Sequence, residues 1–209
     1  MKERSAAYHM DGAPNATLHV TPSLVMRLCI VLASLVLICP SLAAADEALW
    51  DLMRGGGQVV FMRHAVTTPG VGDPAGFRLE DCATQRNLTD AGREDARRVG
   101  AAFRSRGIPV GRVLSSPWCR CLETARLAFA GSETWTPLSN LFDNRAREAE
   151  QMRALREIAG RRPAGGNVVL VTHGSVVLPL TGIQPAPAEL VVLTPDGSGR
   201  FKLAGRLTP

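Results

Sequence analysis

Three short β-favouring runs constrain the fold more than any other feature of the chain: Gln58–Arg63, Gly111–Ser116 and Asn167–Thr172. The first is continuously apolar through its middle, the pattern of a strand buried on both faces of a parallel sheet. Helical patterns stand between them. Thr89 can cap a helix running to Phe103, with Ala96, Val99, Gly100 and Phe103 at helical spacing and Gly107 as its stop. Pro117 leads into a helix that carries Arg120, Glu123, Thr124 and Arg126, and residues 145–160 place Met152, Leu155, Ile158 and Ala159 on one face. A short amphipathic helix over 46–54 precedes the first strand, and 188–194 with 200–207 read as two closing strands around Pro195–Gly199. This alternation predicts an α/β fold: a single-domain three-layer sandwich, a mostly parallel sheet with helices on both faces. Ligands of such sheets sit beyond the carboxyl ends of the strands. The long loop 65–88 leaves the first of those ends, and a loop of this length inside a compact domain is more often functional than idle.

Composition limits the alternatives. With 209 residues, 45% of them hydrophobic, the chain has material for one core and not for two large domains. A mean hydropathy of +0.04 excludes both a charged disordered tail and a polytopic membrane protein. The net charge of +5 comes from scattered arginines, which read as solvated helix faces rather than as a nucleic-acid surface. A small anionic substrate suits that charge, and no nucleic-acid partner is expected.

At the amino terminus, Arg27 precedes the apolar run Leu28–Ile38, and Ala43 and Ala45 stand before Asp46. The run has the length of a signal-peptide core and falls short of the ~20 residues that span a bilayer. Residues 1–45 are therefore expected to be an extension plus signal peptide, with Met26 as the natural start, and residues 46–209 the folded domain. An exported chain, periplasmic or secreted and without stable membrane insertion after cleavage, is the expectation; an uncleaved anchor is the alternative. Outside the leader stand Cys82, Cys119 and Cys121, and Cys82 can pair with either of the other two. A zinc site is poorly supported, because one Cys-x-Cys and one distant Cys lack the two paired clusters such sites use.

The three strands end in Arg63-His64, in Ser115-Ser116-Pro117 followed by Arg120, and in Thr172-His173-Gly174. If the strands are neighbours, two imidazoles and two guanidiniums face one crevice. Guanidiniums present planar forks of donors that match phosphate oxygens, and a neutral imidazole is a nucleophile near pH 7. Fixed cations in a partly dry site also stabilise the charge spread over a transferring phosphoryl group, so this chemistry calls for no cofactor and no metal.

Phe61-Met62-Arg63-His64-Ala65 resembles the Arg-His-Gly signature of the histidine phosphatase superfamily, the phosphoglycerate-mutase-like group. Ser115-Ser116-Pro117 with Arg120, Thr124 and Ala125 is similar to its Ser-Ser-Pro, Arg and Thr-Ala segment. Val171-Thr172-His173-Gly174 resembles the second-histidine motif, and Leu88-Thr89-Asp90-Ala91-Gly92 the helix start. The four motifs stand in the family's order over residues 57–195. The resemblance implies that His64 is the nucleophile that becomes phosphohistidine. It further implies that Arg63, Arg120 and His173 hold the phosphoryl group, with Thr67 as a further contact, and that His173 also serves in catalysis.

Two positions depart from the pattern. Ala65 replaces the glycine of the first motif and adds only a methyl. Where many relatives carry a glutamate general acid, this chain has Leu138-Ser139-Asn140-Leu141-Phe142-Asp143, and an asparagine has no proton to give. Asp143 is the expected replacement, with Glu148, Glu150 and Asp73 as weaker candidates. Glu123 is expected to pair with Arg126 or Arg120 and the tryptophans to serve packing. The reading is an exported, metal-independent phosphatase of a small phosphate ester. The alternative is a phosphate-binding protein on the same fold, and a mutase is disfavoured by export.

Overall fold

The computed structural model describes residues 40–142 and 145–209. Met26 and the apolar run Leu28–Ile38 of the expected leader lie outside the described residues, as does Asp143. Residues 43–209 form one compact unit.

Helix α1 (Pro40–Arg54) leads to β1 (Val59–Arg63); α2 (Asp90–Ser105) to β2 (Val110–Ser115); α3 (Cys119–Phe129) to the two-residue β3 (Glu133–Thr134); and α4 (Glu148–Gly160) to β4 (Asn167–Thr172). Helix α5 (Gly174–Thr181) and the strands β5 (Leu190–Pro195) and β6 (Phe201–Leu207) close the chain. The strand order is β3-β2-β4-β1-β5-β6, parallel from β3 to β1 and antiparallel at β5. Alternate residues of the central strands point to opposite faces. Val60, Met62, Val169 and Val171 pack with Val99, Phe103 and Ala125 of α2 and α3 on one side. Phe61, Leu114 and Leu170 pack with Leu155, Ala159 and Val177 of α4 and α5 on the other. The expected three-layer α/β sandwich is the fold.

The departures are local. The helix expected over 46–54 begins at Pro40. Strand β3 went unread because its two residues are polar and exposed, held as a strand only by pairing with Leu114 and Ser115. Helix α5 went unread because Gly174–Thr181 is apolar nearly all round and holds Pro179, so no amphipathic period marks it.

Helix α2 is drawn close to the loop after β1 at Gly92. Thr89 caps the helix by accepting from the Gly92 N–H at 3.0 Å and itself donates its N–H to the Val66 carbonyl at 3.0 Å. A Cβ added at Gly92 would stand 2.0 Å from that same Val66 oxygen, so only glycine permits the approach.

Candidate active site

Register places the two histidines. Strands β1 and β4 pair in parallel with Arg63 opposite Thr172, so the next residue on each, His64 and His173, leaves the sheet beside the other. The His64 N–H donates to the Thr172 carbonyl at 2.8 Å, and the rings meet edge to face with centroids 5.4 Å apart. Strand β2 adds Ser116, whose N–H continues the ladder to the Val171 carbonyl and whose hydroxyl lies 2.8 Å from His173 Nε2. Trp118 closes the other side of that ring at a centroid distance of 5.5 Å.

The His64 tautomer follows from its partner. Nδ1 lies 2.9 Å from the Ala65 carbonyl, which can only accept, so Nδ1 carries the proton. In the neutral ring Nε2 therefore keeps its lone pair. Ala65 is itself fixed, its N–H bonded to the Thr124 hydroxyl at 3.1 Å, while that hydroxyl donates to the Arg120 carbonyl at 2.7 Å. Thr124 thus couples the first histidine motif to helix α3.

Arg120 projects from the first turn of α3 and is the largest fully buried side chain among the described residues. Its Nη1 donates to both carboxylate oxygens of Asp73, at 2.7 and 3.0 Å, and the two side chains are 1% and 0% exposed. Asp73 also accepts from the Trp118 indole at 3.0 Å and from the Arg86 backbone N–H at 2.9 Å. Arg63 donates through Nη1 to the Pro185 carbonyl at 2.8 Å, and Arg86 through Nη1 to the Gly70 carbonyl at 2.9 Å. Each of these three arginines is held by one corner, and each leaves a buried Nε–H without a hydrogen-bond partner. The fourth such Nε in the described residues belongs to Arg106, which lies over the Trp50 ring, well away in the fold from these strand ends. Buried unpaired donors are costly, so a site holding three of them is built for an anion to complete.

The electrostatics agree. Burial, reinforced by Arg120, Arg63 and Arg86, pushes His64 down to about 3 even though its bond to Ala65 works the other way. Burial, then His64 and the same arginines, holds His173 well below its ordinary value. Both rings are neutral near pH 7, as a nucleophilic imidazole must be. Burial raises the Asp73 carboxyl, but the Arg86 N–H, the Arg120 guanidinium and the Trp118 indole outweigh it and hold the group below the usual carboxylate range.

Residues 59–150 match the histidine phosphatase superfamily (branch 1) sequence profile. His173 falls beyond that match and meets His64 in space. Over that span the chain carries the sequence signature of the histidine phosphatase superfamily. No curated protein matches it in sequence. Among solved structures it is similar to a phosphoserine phosphatase of Entamoeba histolytica in complex with 3-phosphoglyceric acid, at 13% identity and a TM-score of 0.54, covering 73% of this chain and 97% of that one. It is also similar to an open reading frame product of Mycobacterium tuberculosis, at 17% identity and a TM-score of 0.53, covering 71% and 95%. These likenesses show the fold.

The histidine phosphatase motifs thus bring His64, His173, Arg63 and Arg120 to one crevice. Thr67 stands in the β-bridge to Leu88 at the base of the loop. Asn140, at the position where relatives carry an acid, is buried; its side-chain oxygen accepts from the Ser175 hydroxyl at 2.8 Å and the Phe142 N–H at 3.2 Å. It braces the turn instead of reaching the reaction. Asp73, a weaker candidate acid, is ionised and fully engaged, which removes it from that role. Glu148 and Glu150 open α4. Glu123 pairs with Arg93 at 2.9 Å and with Arg126 at 3.9 Å rather than with Arg120. Cys82 bonds to Cys119, and Cys121 is a buried free thiol 3.5 Å from His173 Nε2.

Sequence reasoning missed Arg86 and the bridging role of Asp73. Both lie in the loop 65–88, where no period or strand end marks a residue as inward-facing. The readable signal was Cys82, close to Arg86 in sequence, together with Cys119 next to Arg120: either cysteine pairing drags the loop onto the helix that carries the phosphate arginine.

Proposed function

We propose that the protein is an exported phosphatase that hydrolyses a small phosphate ester through a phosphohistidine on His64, using arginines in place of a metal. The observation that carries this is the set of three buried, unpartnered arginine Nε–H groups beside an imidazole whose Nε2 lone pair is free. A phosphoryl group seated on those donors has its oxygens neutralised and its phosphorus open to Nε2. Attack forms the N–P bond and breaks the P–O bond to the leaving group, which takes a proton as it departs. Water then adds to phosphorus, the N–P bond breaks, and phosphate leaves with His64 neutral again. His173, fixed by Ser116, stabilises the oxygens as charge builds. Asp143 stays the proposed proton donor in the first step.

The leaving group has room beside Trp118, where a cleft of about 320 Å³ is lined by Pro117, Trp118, Ser139, Asn140, Glu150 and Gln151. With Arg147 and Glu150 beside the Trp118 face and the neutral Thr136 and Ser139 among them, this lining suits a small polar alcohol such as a sugar. Export is supported by the Cys82–Cys119 disulfide, a bond that persists in oxidising compartments, together with the apolar run before Ala43-x-Ala45.

The test is to mix the full chain with a phosphate ester carrying labelled phosphorus, quench rapidly, and assay acid-labile protein label in wild type and His64→Ala. Label on wild type alone, turnover in EDTA and release of inorganic phosphate support the reading. Phosphate binding without label or turnover would establish the non-catalytic alternative.

A further inference from the structure

We propose that the Cys82–Cys119 disulfide is an exchange site for a protein dithiol, which docks in the surface groove over the bond and sets whether loop 65–88 is clamped to α3. The consequence for phosphate binding, though not the exchange itself, rests on the phosphatase reading above. Both cysteines line an open groove of about 430 Å³ whose walls include Leu122, Arg93 and Arg126. The two residues sit differently in it. Cys82 is exposed, whereas Cys119 is buried in the first turn of α3. Exposed disulfides are the labile, regulatory ones, in contrast to reduction-resistant structural bonds.

The bond joins a self-contained piece of loop to the helix. Residues 78–85 close on themselves: the Arg78 N–H donates to the Thr84 hydroxyl at 2.8 Å, the Ala83 N–H to Asp81 at 3.1 Å, the Gln85 side-chain amide to the Leu79 carbonyl at 2.8 Å, and Arg78 pairs with Asp81. None of Cys82, Ala83 and Thr84 is buried, so this turn owes little to core packing. It is tied to α3 at Cys119, through the disulfide and through the Cys119 N–H, which donates to Gln85 Oε1 at 3.0 Å. Arg86 follows directly, and its backbone N–H shares Asp73 Oδ1 with Arg120. Opening the bond therefore loosens the segment that completes the anion pocket.

The exchange balances as follows from the exposure of Cys82. A partner thiolate attacks Cys82 Sγ, the S–S bond breaks, and Cys119 leaves as a thiolate that the amino terminus of α3 stabilises before it takes a proton. The partner's second thiol then attacks the mixed disulfide and releases Cys82 as a thiol. Two electrons have passed from the dithiol, now a disulfide, to this bond, and the reverse sequence reseals it. Cys121 offers no internal route, because its buried thiol lies against His173 and outside the groove. The groove also fits a partner of definite charge. Arg93 is held by Asp90 and Glu123 at 2.9 Å, but the Arg126 side chain is 64% exposed and 3.9 Å from Glu123, which leaves it to meet an acidic rim around the incoming thiol.

The experiment uses the oxidised full chain and, as probe, a Cys-x-x-Cys oxidoreductase of net negative charge whose second cysteine is changed to Ser so that the mixed disulfide persists. Peptide mass mapping should find the probe on Cys82 and a free thiol at Cys119. The intact probe should reduce the bond about 10-fold or more faster than dithiothreitol at equal concentration and pH. Arg126→Glu should remove most of that advantage while changing the dithiothreitol rate by less than about threefold. Inorganic phosphate should bind the reduced chain about 10-fold more weakly and the re-oxidised chain as before, the size of one misplaced charge-assisted hydrogen bond. A probe found on Cys119, a protein dithiol no faster than dithiothreitol, or an advantage that survives Arg126→Glu overturns the docking site. Phosphate affinity within about twofold in the two redox states overturns the clamp, and leaves the phosphatase reading standing while oxidised wild type turns over. An oxidised wild type that neither binds phosphate nor hydrolyses an ester sinks the phosphatase reading and the clamp with it, whereas exchange at Cys82 still stands or falls by mass.

Discussion

Asp73 and Arg120 form an ion pair from which solvent is excluded on both sides, with Nη1 between the two carboxylate oxygens at 2.7 and 3.0 Å. Removing one partner of such a pair leaves a buried charge uncompensated, at a cost of about 3–5 kcal/mol. Asp73→Asn should lower the urea-unfolding free energy of the phosphate-free protein by an amount of that order. Saturating phosphate should stabilise the variant more than wild type, because the anion supplies the charge that the aspartate did. The folded-state carboxyl lies below its ordinary value, so its contribution is present at neutral pH and is lost as pH falls below about 4. An Asp73→Asn protein as stable as wild type without phosphate would show that the pair does not organise the site.

The histidines make a second contribution of the same sign. His64 titrates near 3 in the folded protein against 6.5 for a free imidazole, and His173 is lowered too. Between those values the unfolded chain binds protons that the folded chain refuses, so stability rises with pH through that window and falls on acidification. The expected slope is about 1.4 kcal/mol per pH unit for each ring. Urea unfolding at pH 7, 6 and 5 should reveal it, and His64→Gln should remove one proton's worth. Phosphate should flatten the slope, because a bound dianion favours protonated imidazole. A pH-independent stability from 7 to 5 would mean the rings are not buried as described.

The loop after His64 depends on a glycine. A methyl at Gly92 would meet the Val66 carbonyl at 2.0 Å, and both partners are backbone, so either α2 or the chain beyond His64 must move. Gly92→Ala should cost about 1–3 kcal/mol as overpacking does, and it should lower kcat because Val66 lies two residues from the nucleophile. Gly107 is the control. It has φ +64° and nothing within 4 Å of an added Cβ. Gly107→Ala should pay about 1 kcal/mol of left-handed strain and leave kcat alone.

How much of this was legible in the sequence varies by element. Strands β1 and β4 announced themselves because burial on both faces demands apolar runs, while β2, buried only at Leu114 and Ser115, showed through Val113-Leu114 and the Ser-Ser-Pro that follows; their ends gave Arg63, His64, Ser116, Arg120 and His173. Those residues meet because parallel register carries sequence-distant strand ends to one edge, a consequence that needs only the topology. The contributions of loop 65–88 were hidden for the opposite reason. Asp73 and Arg86 are placed by bonds to Trp118, Gly70 and each other, contacts between residues up to 45 apart that follow no period. The disulfide was half readable: Cys82 had two possible partners, and α3 turns Cys119 toward the loop while burying Cys121 in the core beneath His173.

That disulfide supports the last prediction. Cys82–Cys119 closes a 37-residue separation and clamps the Arg86 loop to the helix that starts one residue before Arg120. A cross-link of this span contributes about 3–4 kcal/mol through the unfolded chain. Dithiothreitol, or Cys82→Ser, should lower the urea midpoint accordingly and raise KM more than it lowers kcat, since β1 and β4 still hold His64 and His173 together. Thiol counting separates the three sulfurs. The native oxidised protein should show no fast-reacting thiol, because burial pushes the Cys121 thiol up to about 12 and shields it. Reduction should expose two fast thiols, at Cys82 and Cys119, with Cys121 reacting only on unfolding. Two fast thiols in the untreated protein would show that the loop is not clamped, and KM should then be indifferent to reductant.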